Sequence, residues 1–123
     1  MKFSIIVPSF NQKKFLPDNL ASIRNQVDVE VECIVVDPGS TDGSTQIAFD
    51  EPGVILLNEP DRGQSHGICK GFERASGDIF AWLNSDDYYF AEDTLEIVQK
   101  VFQENPDIDV VYGGVDFVGN FFH

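Results

Sequence analysis

The stretch Gly77-Asp78-Ile79-Phe80-Ala81-Trp82-Leu83-Asn84-Ser85-Asp86-Asp87 decides how the rest of the chain is read. Ile79 to Leu83 is an unbroken apolar run, which predicts a central strand buried on both faces. The run stops at an amide, a hydroxyl and two neighbouring carboxylates, so these polar groups surface together where the strand ends. In an open α/β sheet that is the carboxyl edge, where ligands bind. Asp86 and Asp87 repel one another there, and a divalent cation taking oxygen ligands relieves the repulsion. An Asp-Asp pair alone is more often a solvated turn or a helix cap. The motifs around it have to decide.

The chain of 123 residues is long enough for one domain with a single core. It carries 21 acidic and 8 basic residues, a formal net charge of −13. No basic stripe exists to release counterions, which argues against a nucleic acid as partner and against flat adsorption to an anionic membrane. A polyanionic ligand stays compatible where a metal and backbone amides neutralise it locally. No apolar run approaches the ~20 residues of a membrane span, and Met1-Lys2-Phe3-Ser4 leads into a strand without a signal-peptide pattern. A cytoplasmic protein is expected, with Cys33 and Cys69 as reduced thiols.

Working outward, Phe3 to Val7 reads as a first strand stopped by Pro8, and Leu16, Leu20, Ile23 and Val27 give the next helix its buried stripe. Val29 to Val36 is a second strand, whose alternating Glu30 and Glu32 suggest an end projecting from the sheet. The turn-forming cluster Asp37 to Thr45 follows, then a short helix through Ile47, Ala48 and Phe49. Val54 to Leu57 is a third strand, and Ile68, Phe72 and Ala75 mark a helix ending at Ser76-Gly77. After Asp87, Leu95, Val98 and Phe102 form the last helical stripe, and Val110-Val111-Tyr112 begins a fifth strand. Strand and helix alternate, which predicts an α/β fold: a mostly parallel open sheet with helices on both faces. The aromatic tail Phe117 to His123 lacks a covering helix, so the expectation is a fragment, or a tail that pairs with another copy of the chain.

Three loops then fall at strand ends on one edge: Pro8 to Asn11, Asp37 to Ser44, and Asn84 to Asp87. A fourth, Asp61-Arg62-Gly63-Gln64-Ser65, leads into the Ile68 helix, whose free amides can receive an anion. A flat aromatic (Phe10), an acceptor (Asp37), glycines that admit close backbone approach and a carboxylate pair suit a nucleoside diphosphate. The ring would lie on Phe10, base or ribose near Asp37, and phosphates across a cation at Asp86 and Asp87. Each part alone is unspecific: Phe10 by itself is more often core.

Together the residues resemble the family 2 glycosyltransferases of the GT-A fold. The matching pieces are Ser4-Ile5-Ile6-Val7-Pro8-Ser9-Phe10-Asn11, Glu32-Cys33-Ile34-Val35-Val36-Asp37-Pro38-Gly39-Ser40-Thr41-Asp42-Gly43, Asp61-Arg62-Gly63-Gln64-Ser65, and Gly77 to Asp87. The resemblance implies a nucleotide-diphospho-sugar donor, with UDP the commonest nucleotide, and Mn2+ or Mg2+. It implies inverting sugar transfer to an acceptor hydroxyl, by an enzyme that in longer form can work at the cytoplasmic face of a membrane. Nucleotide contacts are expected from Pro8, Phe10, Asp37, Gly39, Gly63 and Lys70, and metal contacts from Asn84, Asp86 and Asp87. His66 and Arg74 are further candidates for phosphate or sugar.

Two departures stand out. The family's aspartate-any-aspartate motif falls on Asn84-Ser85-Asp86, so its first ligand is neutral, and a second aspartate common after the position of Asp37 is Pro38. The acceptor site and the catalytic carboxylate base lie, in this family, beyond the fifth strand, so the base is expected beyond His123 and the chain as a donor-binding half. A phosphoacceptor receiver or metal-dependent phosphatase also clusters aspartates at strand ends. Either needs an acid at the end of the first strand, where Pro8-Ser9-Phe10 stands. A catalytically inactive nucleotide-binding or structural module is the remaining alternative.

Overall fold

The computed structural model describes residues 1–111 and 113. Its elements run β1 (Lys2–Pro8), α1 (Leu16–Arg24), β2 (Glu30–Asp37), α2 (Ser44–Asp50), β3 (Val54–Asn58), α3 (Gln64–Arg74), β4 (Ile79–Trp82) and α4 (Thr94–Glu104). The four strands are all parallel, in the order β3-β2-β1-β4. Their carboxyl ends therefore share one rim, as the alternation of elements requires.

Strand periodicity divides the core in two. Phe3, Ile5, Val7, Cys33 and Val35 pack with Leu16, Leu20, Ile23, Ala48 and Leu95 on the face covered by α1, α2 and α4. Ile6, Ile34 and Val36 pack on the other face beneath Phe72 of α3. That helix lies very close to the sheet. A Cβ added to Gly71 would stand 2.5 Å from Ile6 Cγ2 and 3.2 Å from Val36 Cγ2, so only a glycine admits this approach.

Three expectations change. The apolar run at Ile79 is not the central strand: β1 is flanked on both sides, whereas β4 is at the edge of the described sheet. Its outward Phe80 and Trp82 are 51% and 57% exposed, with Phe80 stacked on Phe72. Composition made the run look buried on both faces, but only alternate residues, Ile79, Ala81 and Leu83, pack into the α1-side core. Val110 and Val111 belong to no strand. Tyr112 and the tail Phe117 to His123, with the self-pairing suggested for it, lie outside the described residues.

The third change concerns Glu32, which does not project into water. Its carboxylate accepts from Ser4 Oγ (2.6 Å), Ser76 N (2.9 Å) and Ser76 Oγ (2.9 Å), with Lys2 Nζ at 3.8 Å. Gly77 N donates to the same Ser4 Oγ at 2.8 Å. This network pins the α3–β4 turn to β1 and β2 at the amino edge, opposite the rim. Burial pushes the Glu32 carboxyl up, but the bonds from Ser4 and Ser76 and the charge of Lys2 outweigh it and bring it from 4.5 down to about 2. A carboxyl lowered on folding stabilises fully above its unfolded value and loses that contribution as pH falls through the folded one. Glu32→Gln is accordingly expected to lose about 1–2 kcal/mol at pH 7, read by urea unfolding. The gap between wild type and variant should close between about pH 5 and pH 2.

Candidate functional site

The carboxyl rim holds a cleft of about 460 Å³ whose walls include Pro8, Phe10, Pro38, Gly63, Gln64, Asn84 and Asp86. Five of the residues expected at the site, Pro8, Phe10, Gly63, Asn84 and Asp86, are thus brought together from three loops. Phe10 is 57% exposed, so its ring is presented at the rim rather than spent in the core. Gly63 (φ 124°) turns the chain into α3, which has no side-chain cap at its N-terminus. The uncapped first-turn amides and the helix dipole favour an anion at that end.

The loops are tied to one another before any ligand arrives. Asn11, itself at φ 53°, donates through its main-chain N to Ser40 Oγ, and its Oδ1 accepts from Thr41 N, both at 2.9 Å. Lys13 N donates to Asp42 Oδ2 at 3.0 Å. Across the cleft, Gln64 Nε2 of α3 donates to Asn84 Oδ1 at 2.8 Å. Sequence reasoning assigned no role to Asn11, Asp42 or Gln64, although all three fall inside the quoted motifs.

The other expected residues lie off the cleft wall. Asp37 is 1% exposed; its Oδ1 accepts from Gly39 N (2.8 Å) and Ser40 N (2.7 Å), and its Oδ2 from Thr45 Oγ1 (2.8 Å). Asp37 and Gly39 together fold the loop that puts Pro38 on the wall. Lys70 Nζ reaches Glu59 at 2.7 Å and Pro60 O at 2.9 Å, so its charge braces the β3–α3 loop. His66 Nδ1 accepts from Arg62 N at 2.8 Å in the turn before α3. Arg74 ends that helix beside Ser76, at the edge away from the rim.

Asp87 lies next to Asp86 just off the wall, and its N–H closes a turn on Asn84 O at 2.9 Å. Burial, and then the charge of Asp86, push its carboxyl above the ordinary range. Among the described residues no three His, Cys, Asp or Glu side chains gather as a cation cage. Mg2+ and similar hard cations are commonly held by one or two carboxylates plus substrate phosphates instead. Two repelling carboxylates beside a bare helix N-terminus fit that mode of binding.

A wholly parallel described sheet, covered on both faces and opening at its carboxyl rim into a cleft of this make-up, is a GT-A-like domain. The chain belongs to the Glycosyl transferase family 2, whose profile matches residues 4–123. It is 35% identical over 118 residues to a PGL/p-HBAD biosynthesis glycosyltransferase of Mycobacterium bovis, covering 92% of this chain and 46% of the relative. Among solved structures, S. aureus TarS 1-349 in complex with UDP-GlcNAc is similar at a TM-score of 0.77 and 30% identity, over 86% of this chain and 32% of that one. The mannosyltransferase PcManGT of Pyrobaculum calidifontis, in complex with GDP-Man and Mn2+, is similar at 0.72 and 29% identity, over 81% and 32%. The chain therefore spans less than half the length of these relatives. Among its described residues no helix is long and apolar enough to cross a membrane.

Proposed function

We propose that the cleft binds the nucleoside diphosphate of a sugar donor together with Mn2+ or Mg2+, and that a longer protein uses this for inverting transfer of the sugar to an acceptor hydroxyl. One observation carries the reading: Phe10, the open N-terminus of α3 and Asp86 line one cavity of nucleotide size. Residues 1–123 form the donor-binding part, and the acceptor site and base come from the remaining length that the relatives have. UDP is the first nucleotide to test, given the UDP-GlcNAc complex of TarS.

Each residue then has a task. Phe10 stacks on the base, Pro38 and Pro8 shape the nucleoside wall, and the amides after Gly63 receive phosphate oxygens. Asp86 holds the cation with Asp87 beside it, while Asn84, fixed by Gln64, offers a neutral contact in place of a third charge. A bound cation would supply stabilisation of the negative charge developing on the departing diphosphate. Deprotonation of the acceptor hydroxyl requires a base that none of these residues provides.

Calorimetric titration of the chain with UDP, with and without Mn2+, tests this. Tighter binding with the cation, by more than about 100-fold, is expected; equal affinity in both titrations contradicts it. Complete absence of binding would favour the second reading, a structural module, for which Asn84 and Pro38 speak. Phe10→Ala should weaken UDP binding by about 1–3 kcal/mol in the same titration, the range of base-on-aromatic stacking. Because the ring is largely exposed, the melting temperature should scarcely move.

A further inference from the structure

We infer that Asn19 is a positioning residue for the carboxylate loop of the cleft, acting through main-chain carbonyls alone. This rests on the nucleotide–metal reading above. Asn19 is completely buried in α1, on the same stripe as Leu16, Leu20 and Ile23. Its Nδ2 donates to Asn84 O at 3.0 Å and to Asp87 O at 2.9 Å. Those two carbonyls bracket the turn that carries Ser85 and Asp86, and Asp87 N closes the same turn on Asn84 O.

The amide cannot be turned the other way, because its oxygen would then face two carbonyl oxygens. In the observed orientation Oδ1 is buried without a partner. The fold thus leaves an acceptor bare in its core while both Nδ2 hydrogens grip this one turn. Further along the chain, Ser22 Oγ accepts from Tyr89 N at 3.1 Å, and Gln26 donates to Ala91 O at 2.8 Å and accepts from Leu95 N at 2.9 Å. Asn19 and Ser22 lie on one face of α1 and, with Gln26 just beyond the helix end, fasten the segment from Asn84 to Leu95. Only Asn19 reaches the turn at the cleft. Gln64 holds Asn84 from the opposite side. Because α1 follows directly on the loop bearing Phe10, Asn19 sets where Asp86 stands relative to that ring. It does so whatever side chains the turn carries.

The test compares Asn19→Asp, which keeps the shape but loses both donors, and Asn19→Ala, which adds no buried charge and so remains readable if Asn19→Asp does not fold. Gln26→Ala, which cuts the same ladder away from the cleft, is the control. Amide hydrogen exchange by NMR and titration with UDP plus Mn2+ are the readouts. In the Asn19 variants the Asp87 amide should exchange about tenfold faster, and the dissociation constant for UDP with Mn2+ should rise about tenfold. Gln26→Ala should lower the melting temperature while leaving both readouts near wild type. If the Asp87 amide is no faster in either Asn19 variant than in Gln26→Ala, Asn19 only packs the helix and the inference is wrong. If wild type fails to bind UDP with Mn2+, the nucleotide reading falls, and the exchange comparison still decides whether Asn19 holds the turn.

Discussion

Asp86→Ala is expected to remove the Mn2+-dependent part of UDP binding, a loss of more than about 100-fold. Changing residues that merely orient metal ligands already costs 10–100-fold in affinity. Of the adjacent pair, Asp86 is on the cleft wall, where Asp61 of the β3–α3 loop also stands, whereas Asp87 is set off it. Asp87→Asn should therefore weaken the complex less than Asp86→Ala. The fold should survive either change. Removing Asp86 takes away one of the influences that raise the Asp87 carboxyl, so the folded chain should be no less stable. Calorimetry with UDP and Mn2+ on both variants, beside thermal melts, checks the ranking.

The largest effect on stability is expected from Gly71→Val. The new Cβ would be driven to within 2.5 Å of Ile6 Cγ2, and Ile6 is fully buried in an inner strand of the described sheet with no room to yield. Overpacking of this kind typically costs 1–3 kcal/mol, and a β-branched side chain here belongs at the upper end, about 3 kcal/mol. Gly71→Ala should be milder, because alanine's helix preference of about 1 kcal/mol over glycine offsets part of the strain. Urea unfolding midpoints of the three proteins test the order wild type, alanine, valine. Gly71→Val should also weaken nucleotide binding, since lifting α3 moves Gly63 and Gln64, which line the cleft.

Much of this architecture was legible because apolar runs and chain breakers alternate cleanly, and parallel strands place all their following loops on one rim. Partners were far less legible than positions. Glu32 alternates with Val31 and Cys33 as an exposed residue would, but serines from β1 and the α3–β4 turn come to meet it. Asp37 was found, yet nothing local says that Gly39, Ser40 and Thr45 occupy its oxygens. The run at Ile79 shows the limit of composition, because Phe80 and Trp82 are apolar whether or not anything covers them. Asn19 did leave a trace, a polar residue at helical spacing from Leu16 and Ile23. Only the chain's long-range return, bringing Asn84 and Asp87 back to α1, gives it a meaning.

In the proposed complex one cleft holds base, phosphate and cation together. Paramagnetic broadening of the chain's NMR signals by substoichiometric Mn2+ in the presence of UDP tests it most directly. The predicted result is broadening centred on Asn84 to Asp87 that extends to the Phe10 ring and the Gly63 and Gln64 amides, and that weakens when UDP is withheld. Broadening that ignores UDP and centres on acidic residues away from the rim, such as Glu96 of α4 or Asp78, would contradict it.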